Sequence, residues 1–255
     1  MESSTDPKNI VGSVVKAARL LDSFSVERPE VTLSEFTEDT GLNKTTVYRL
    51  LQTMLSCGWL TRTKSGGYRL GMPLLYLGAI ARGNLDLRNE AVPLMRRLSE
   101  EFGDTSFLMI PGPHGAVTIE LVVGRNPVRI HGVTVGSVLP YHVAAGPVAI
   151  AAFTPEIEAR LVASEQPRLT SRTVVSRADL SRYFARVREA GYVVSVEDYI
   201  EDVAAVAAPV LDADGVAIAA LSLGGPASRF EEPMLSRAID RVCAMARELS
   251  GRMSA

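Results

Sequence analysis

The sequence is poor in cysteine and histidine, the residues that build disulfide frameworks and most metal sites. Two cysteines, Cys57 and Cys243, and three histidines occur in 255 residues. The cysteines are far apart and each falls in a helical pattern, so neither a disulfide framework nor a thiolate metal site is expected. The histidines, His114, His131 and His142, are not spaced as ligands of one ion. We expect no bound metal.

Long apolar runs and catalytic signatures are also missing. The sequence contains no run of about 18 apolar residues that could span a membrane, and its first residues lack the basic start and apolar core of a signal peptide. A cytoplasmic protein without membrane contact is expected. There is no G-x-S-x-G, H-E-x-x-H, P-loop or dinucleotide fingerprint. These absences argue against an enzyme and against a bound cofactor.

One long segment, Thr40 to Leu85, lacks acidic residues altogether. The chain has 29 Asp and Glu residues, so a segment of this length should contain about five of them by simple proportion. The same segment carries six positive charges, and this excess favours a polyanionic partner, in practice a nucleic acid. The six residues are Lys44, Arg49, Arg62, Lys64, Arg69 and Arg82.

Capping signals predict three helices at the start of the chain. Ser13 is expected to cap the first helix. Thr32 and Glu35 form a capping box for the second, which Gly41 can end in the left-handed conformation. Asn43 is expected to cap the third helix. The apolar stripe of the first helix consists of Val14, Ala17, Ala18, Leu21 and Phe24.

The third helix is predicted to bury one side and expose the other. A rotation of about 100° per residue gathers its apolar residues on one side of the helix. These residues are Val47, Leu50, Leu51 and Met54. The opposite side carries Thr45, Arg49, Gln52 and Ser56, with Tyr48 and Thr46 on its two flanks.

A glycine-rich hairpin is predicted to follow the three helices. Residues 59–64 and 68–70 have the pattern of short strands, and Ser65-Gly66-Gly67 lies between them. Three helices and a hairpin make a winged helix-turn-helix domain, which we assign to residues 10–72. Its helix-turn-helix lies at about 33–52, and this motif presents a helix to the major groove of DNA.

The remainder of the chain is predicted to form a connecting helix and an α+β body. The helix, residues 73–86, is apolar almost all round, so it needs a partner on each side. In the body, residues 87–252, strands alternate with helices, and its size is sufficient for a core of its own. Strands are expected at 105–110, 117–123, 128–135, 192–197, 204–211 and 216–223, and helices near 144–152, at 176–190 and at the end of the chain.

Five segments resemble the IclR family of bacterial transcriptional regulators. TGLNKTTVYRLLQTMLSCGWLTR, followed by YRLGMPLLYLG, is similar to the DNA-binding part of that family. VGSVLPYHVAA resembles the segment that enters the ligand pocket. REAGYVVSVEDY and VAAVAAPVLDADGVAIAALSLGGP resemble the two C-terminal signature segments. Together they cover most of residues 13–226 in the right order.

The resemblance implies a winged helix-turn-helix, a connecting helix and a GAF-like effector-binding domain. Such regulators bind palindromic operator DNA as dimers or tetramers and respond to a small organic acid, in some cases an aromatic one. Repression is favoured slightly over activation. Carried over by position, the residues along the major groove are Lys44, Thr45, Thr46, Tyr48 and Arg49. Arg62 and Lys64 of the wing would contact the backbone or minor groove.

The resemblance also locates an effector pocket. The amides of Ala145 and Gly146 match positions that hold an effector carboxylate, and Ser222 matches a hydroxyl that completes the contact. Ala205 suggests space for a ring. The chain departs from the family pattern at Pro147-Val148, where Gly-Lys is usual, and this change removes an amide and a positive charge. On the predicted strand, His131 points to the same side as two valines and could pair with the effector.

Each of these assignments has a simpler alternative. Lys44 and Arg49 could belong to an ordinary solvated helix face, Tyr48 could pack against the first helix, and His131 could be a structural residue of an apolar face. The acidic cluster Glu197, Asp198, Glu201 and Asp202 has the pattern of a solvated loop. For the whole chain, the alternatives are an architectural DNA-binding protein without a ligand switch and a small hydrolase built on the C-terminal domain.

Overall fold

A computed structural model describes residues 10–26, 28–83, 86–127 and 132–253 of the chain. The chain divides into two compact units, Met1–Asn84 and Leu85–Ala255. The winged helix-turn-helix and the α+β body predicted from the sequence are both present. Within the described ranges, no helix is long and apolar enough to cross a lipid bilayer.

The first unit contains three packed helices, a hairpin and a fourth helix. The helices are α1 (Gly12–Leu21), α2 (Leu33–Thr40), α3 (Lys44–Ser56) and α4 (Met72–Gly83). The antiparallel hairpin consists of β1 (Leu60–Arg62) and β2 (Tyr68–Leu70). The core of the unit consists of Leu20, Val31, Phe36, Val47, Leu51, Met54, Leu60 and Tyr68.

Two of the three predicted helix starts are confirmed. Thr32 and Glu35 form the reciprocal capping box at α2, and Gly41 ends that helix with φ 67°. The Asn43 side chain accepts a hydrogen bond from the Thr46 amide at the start of α3. The prediction for Ser13 is wrong: Val11 occupies the cap position of α1, and no side chain caps it. Because the helix begins earlier than expected, Ser13 lies inside its first turn.

The buried side of α1 also differs from the predicted stripe. Leu20 is the buried residue of the helix, whereas Val14 and Ala18 are exposed. Ala17 and Leu21 are partly buried against the core. An isolated amphipathic pattern shows that one side of a helix is apolar, but it does not show how much of that side the same chain covers.

The second unit is built on a six-stranded antiparallel sheet with helices on both faces. The order of the strands across the sheet is β5-β4-β3-β8-β7-β6. The strands are β3 (Thr105–Pro111), β4 (Ala116–Val122), β5 (Val138–Leu139), β6 (Val193–Val196), β7 (Val203–Leu211) and β8 (Ala217–Pro226). The helices are α5 (Asp86–Phe102), α6 (Ala145–Ala152), α7 (Pro155–Val162), α8 (Arg177–Ala190) and α9 (Met234–Met253).

The two faces of this sheet enclose separate cores. Helices α5 and α9 cover one face, and their core includes Leu108, Val206 and Leu221 of the central strands. Helices α6, α7 and α8 cover the other face, and their core includes Phe107 and Ala207. Alternate residues of a strand point to opposite faces, so each central strand contributes to both cores.

Two elements of the second unit were not anticipated from the sequence. Helix α7 was missed, although Pro155 at its first position is a recognised start signal. The strand predicted over 128–135 is not found at 132–135, and its residues 128–131 lie outside the described residues. A short strand, β5, is instead paired with β4 at Val138 and Leu139.

An ion pair between a buried carboxylate and a guanidinium that is 40% exposed fastens the end of α5 to the segment after β8. The Asp104 side chain is only 1% exposed, and both of its oxygens accept from Arg229 Nε, at 3.0 and 3.1 Å. Asn126 Nδ2 donates to the same carboxylate at 2.7 Å. Arg229 Nη2 also donates to the Phe102 carbonyl at 2.9 Å. Removal of the guanidinium would leave a buried carboxylate without its charged partner.

We predict that Arg229→Ala destabilises the second unit by about 3 kcal/mol, because breaking a buried pair leaves an uncompensated charge. The measurement is the free energy of unfolding from urea titration. Arg182→Ala is the matched control, since its pair with Asp179 is largely exposed, and we expect it to cost less than about 1 kcal/mol. Equal losses in the two variants would contradict a special role for the buried pair.

Candidate functional sites

The exposed side of α3 carries the residues predicted to contact DNA. Lys44, Thr45, Tyr48 and Arg49 are exposed, and Thr46 is partly buried. Tyr48 is 47% exposed, so it is not buried against α1. Val47, Leu51 and Met54 hold the opposite side in the core, as predicted, while Leu50 is partly buried. The buried stripe thus fixes which side of the helix faces outward.

The hairpin after α3 adds a second exposed group of cations. Arg62 and Lys64 are exposed, and the Arg62 guanidinium lies 5.8 Å from the centre of the buried Tyr68 ring. Together with Lys44 and Arg49, they form no ion pair with any residue that the structure describes. Four positive charges on one unit thus remain available to an anion.

One acidic residue from outside the acid-free segment organises the tip of the hairpin. Glu30 accepts hydrogen bonds from Ser65 and from Thr63, the latter at 2.7 Å, and it pairs with Arg69 at 3.1 Å. The hydrogen bonds from Ser65 and Thr63 and the charge of Arg69 lower the pKa of Glu30 below its usual value. Arg69 is therefore neutralised within the chain, unlike Arg62 and Lys64.

The second unit contains a cavity whose floor is one face of the sheet. Ser222 of β8 is paired with Ala207 of β7 and with Phe107 of β3, and Ala205 is paired with Ser195 of β6. Residues paired across antiparallel strands lie on the same face of a sheet. Ser195, Ala205, Ser222 and Phe107 accordingly line one cavity of about 450 Å³ of space free of protein atoms, part of it open to solvent.

The first residues of α6 form one wall of this cavity. Ala144, Ala145 and Gly146 line it, and the first amides of a helix have no acceptor within the helix. A Cβ atom on Gly146 would lie 2.8 Å from the Met109 sulfur, so glycine permits the close approach of α6 to β3. Pro147 has no amide hydrogen to offer. Two amides, those of Ala145 and Gly146, thus remain for an anion.

Ala144, the cap residue of α6, has a backbone conformation that is rare for alanine. Its φ of 57° and ψ of 152° fall in a region that is essentially restricted to glycine. The only other residues with positive φ among the described non-glycine residues are Glu197 and Asp202. These two flank a turn whose residues 198–200 also line the cavity. Backbone strain in the described part of the body is therefore concentrated around this cavity.

Asp198 is the residue of the cavity that the sequence pattern misassigned. It was expected in a solvated acidic loop, but it is 7% exposed and lines the cavity. Its Oδ1 accepts from Ser195 Oγ at 2.5 Å and from the Ala144 amide at 3.2 Å. Burial raises the pKa of Asp198, and the hydrogen bonds from Ser195 and Ala144 partly offset that rise. The pattern of acidic residues in this loop did not indicate that the Asp198 side chain is buried.

Four of the five residues predicted to contact an effector line this single cavity: Ala145, Gly146, Ala205 and Ser222. His131, the fifth, lies outside the described residues, while its neighbour Val133 lines the cavity. Among the described residues, no group of His, Cys, Asp and Glu side chains could hold a metal ion. The described lining of the cavity is thus mostly apolar, with a few polar side chains.

Comparison with known sequences identifies both parts of the chain. Residues 80–251 match the family described as bacterial transcriptional regulator IclR C-terminal, and residues 13–64 match the IclR helix-turn-helix domain. The chain belongs to the IclR family. Members of this family are DNA-binding transcriptional regulators and not enzymes, so the hydrolase alternative is excluded.

Individual IclR relatives align over nearly the whole chain. The HTH-type transcriptional regulator KipR of Bacillus subtilis (strain 168) is 30% identical over 94% of this chain and 96% of its own length. The crystal structure of a putative IclR regulator from Silicibacter sp. TM1040 superposes with a TM-score of 0.86 at 28% identity, covering 96% of this chain and 97% of that one.

One similar structure contains a small molecule. It is an IclR homologue from Microbacterium hydrocarbonoxydans complexed with 4-hydroxybenzoate. It is 26% identical to this chain and has a TM-score of 0.73. The match covers 95% of this chain and 100% of the homologue. An IclR fold of this kind is therefore compatible with binding a small aromatic acid.

We predict that Ala144→Gly stabilises the protein by about 1 kcal/mol, since relief of a glycine-only conformation outweighs the entropy that glycine loses on folding. Urea unfolding of the variant and the parent measures the change. Ala163→Gly provides the control, because Ala163 has an ordinary helical conformation with φ −70° and its replacement should destabilise. Destabilisation by both variants would show that the Ala144 conformation is not strained.

Proposed function

We propose that this IclR-family regulator binds palindromic operator DNA as a dimer or tetramer in the cytoplasm and is switched by a small organic acid, with aromatic acids among the candidates. Repression is the favoured outcome, because occupation of promoter DNA alone can block transcription, whereas activation requires a further contact with the polymerase. The main support is that the residues assigned to DNA and the described residues assigned to the effector form two separate groups, an exposed cationic face and a partly open cavity.

In the proposed complex, α3 lies in the major groove and the hairpin lies along the backbone or minor groove. Arg49 projects from the middle of the exposed side, where a guanidinium can bind guanine O6 and N7 together. Thr45 and Thr46 contact phosphate or a thymine methyl group, and Lys44 contacts phosphate. Lys64 lies near the hairpin tip, where contact with phosphates carries no sequence information.

Self-association is supported by the apolar surface that the first unit leaves exposed. Leu75, Tyr76, Leu77 and Ile80 of α4 are all more than half exposed, and α1 exposes Val11, Val14 and Val15. Several large exposed apolar residues on one helix, such as those of α4, are typical of an interaction site. A second copy that covers α4 would also bring a second α3, so that each α3 could contact one half of a palindrome.

In the proposed switch, the effector favours one arrangement of the assembled regulator over another. The connecting helix α4 would carry this change in arrangement to the two α3 helices and alter the distance between them. The size of the response is limited by the difference in effector affinity between the two arrangements. An architectural DNA-binding protein would instead lack any response, so a broad panel of small organic acids that leaves the melting temperature unchanged would favour that alternative.

We predict different consequences for the two kinds of DNA contact. Arg49→Ala should relax sequence preference at one operator position by about 1–3 kcal/mol, because a bidentate base contact is lost. Lys64→Ala should weaken all DNA about equally and reduce the salt dependence of binding. Binding to operator and mutated operator duplexes over a range of salt concentrations separates the two effects. Equal loss of specificity in both variants would contradict this division of roles.

We predict that Leu77→Glu weakens self-association and operator binding together, since it places a charge in the proposed apolar interface. Size-exclusion chromatography with light scattering measures the first effect, and DNA titration measures the second. Leu169→Glu is the control, because Leu169 is 44% exposed but lies in a loop of the second unit. An unchanged assembly state in Leu77→Glu would rule out α4 as the interface.

A further inference from the structure

Among the residues that the structure describes, the buried Asp198 side chain of the cavity has no positively charged partner. Asp198 forms no ion pair with a residue that the structure describes, although it accepts hydrogen bonds from Ser195 and Ala144. His142 is the smallest of the contributions that lower the pKa of Asp198. Its Nε2 contacts the Pro167 carbonyl oxygen at 2.9 Å rather than Asp198. Burial raises the pKa of Asp198, and a cationic group of a ligand beside it would favour the ionised carboxylate.

Groups that can bind an anion line the same cavity as this carboxylate. The amides of Ala145 and Gly146 line the same cavity, and so does the hydroxyl-bearing Ser222. Asp198 accepts from the amide of Ala144, the residue immediately before them. Cα atoms of consecutive residues are about 3.8 Å apart. A ligand that uses both positions is expected to carry its positive and negative groups close together, as on a single carbon atom.

Apart from Tyr199, the other described residues of the cavity are apolar, and none of them carries a charged side chain. Phe107, Met109, Leu139, Ile200 and Val203 line it. Apolar lining with a few convergent polar groups at one end fixes the orientation of a small ligand. The charged end of the ligand must then lie at α6, and its remaining part must be a hydrocarbon group.

We propose that the effector is a zwitterionic 2-amino acid with an apolar side chain, and that Asp198 determines this specificity by pairing with its ammonium group. The inference rests on the proposed effector function and narrows the organic acid to one class. The effector carboxylate binds the Ala145 and Gly146 amides and Ser222, and its side chain contacts Phe107 and Met109. A simple carboxylic acid would instead bring a second negative charge next to Asp198, which is unfavourable.

The test compares acids that differ only at the second carbon. One set is leucine, 2-hydroxy-4-methylpentanoate and 4-methylpentanoate; the other is phenylalanine, 3-phenyllactate and 3-phenylpropionate. Isothermal titration and melting temperature of the full-length protein are measured with each compound. In at least one set, we expect the amino acid to bind about tenfold or more tightly than both analogues, since a buried charge-assisted contact is gained.

Asp198→Asn is the decisive variant, and Glu201→Gln is its control. Asparagine has nearly the same shape as aspartate and removes a buried charge, so the unliganded variant should fold with an equal or higher melting temperature. It should lose the preference for the amino acid. Glu201 is exposed in the same loop, and its replacement should retain that preference.

The possible outcomes separate this inference from the proposed function. If the hydroxy or simple acids bind as well as the amino acid, or if Asp198→Asn keeps the preference, the inference is wrong and the cavity remains an effector site. If none of the six compounds binds, the inference is also wrong. In that case, binding of another organic acid would still support the proposed function, and no response to a broad panel would overturn it.

Discussion

The antiparallel register of β3, β8, β7 and β6 is the constraint on which the body of this regulator depends. Alternate residues of the same strands build the core under α5 and α9 and the floor of the cavity under α6. A slip of one residue would exchange these two sets, moving Ser222 and Ala205 out of the cavity. The core on one face therefore fixes the register of the strands whose other face lines the cavity.

Much of the fold was predictable because its signals are local. The capping box at Thr32, the cap at Asn43 and the left-handed turn at Gly41 each involve residues within a few positions of one another. The exposed side of α3 followed from helical rotation alone. The start of α1 was misplaced because Val11 has no side-chain capping signal, and the apolar stripe could not show which of its residues another chain or segment would cover.

The candidate effector site was predictable only in part. Ala145, Gly146, Ala205 and Ser222 were found through the family resemblance, and they come from three separate elements. Asp198 was missed because its burial depends on contacts far along the chain: Ala144 donates to its side chain and Thr173 to its carbonyl oxygen. No nearby sequence pattern distinguishes it from Glu201, which stays exposed.

The Glu30 carboxylate gives the hairpin an electrostatic property that a count of basic residues would miss. Because Glu30 neutralises Arg69 while it holds Thr63 and Ser65, Arg69 would displace fewer counterions from DNA than its charge suggests. Among the described residues of α3 and the hairpin, Lys44, Arg49, Arg62 and Lys64 keep positive charges that no ion pair offsets. If the Glu30 contacts were lost, Arg69 would become available to DNA. The dependence of operator binding on ionic strength would thus depend on the hairpin contacts as well as on the number of basic residues.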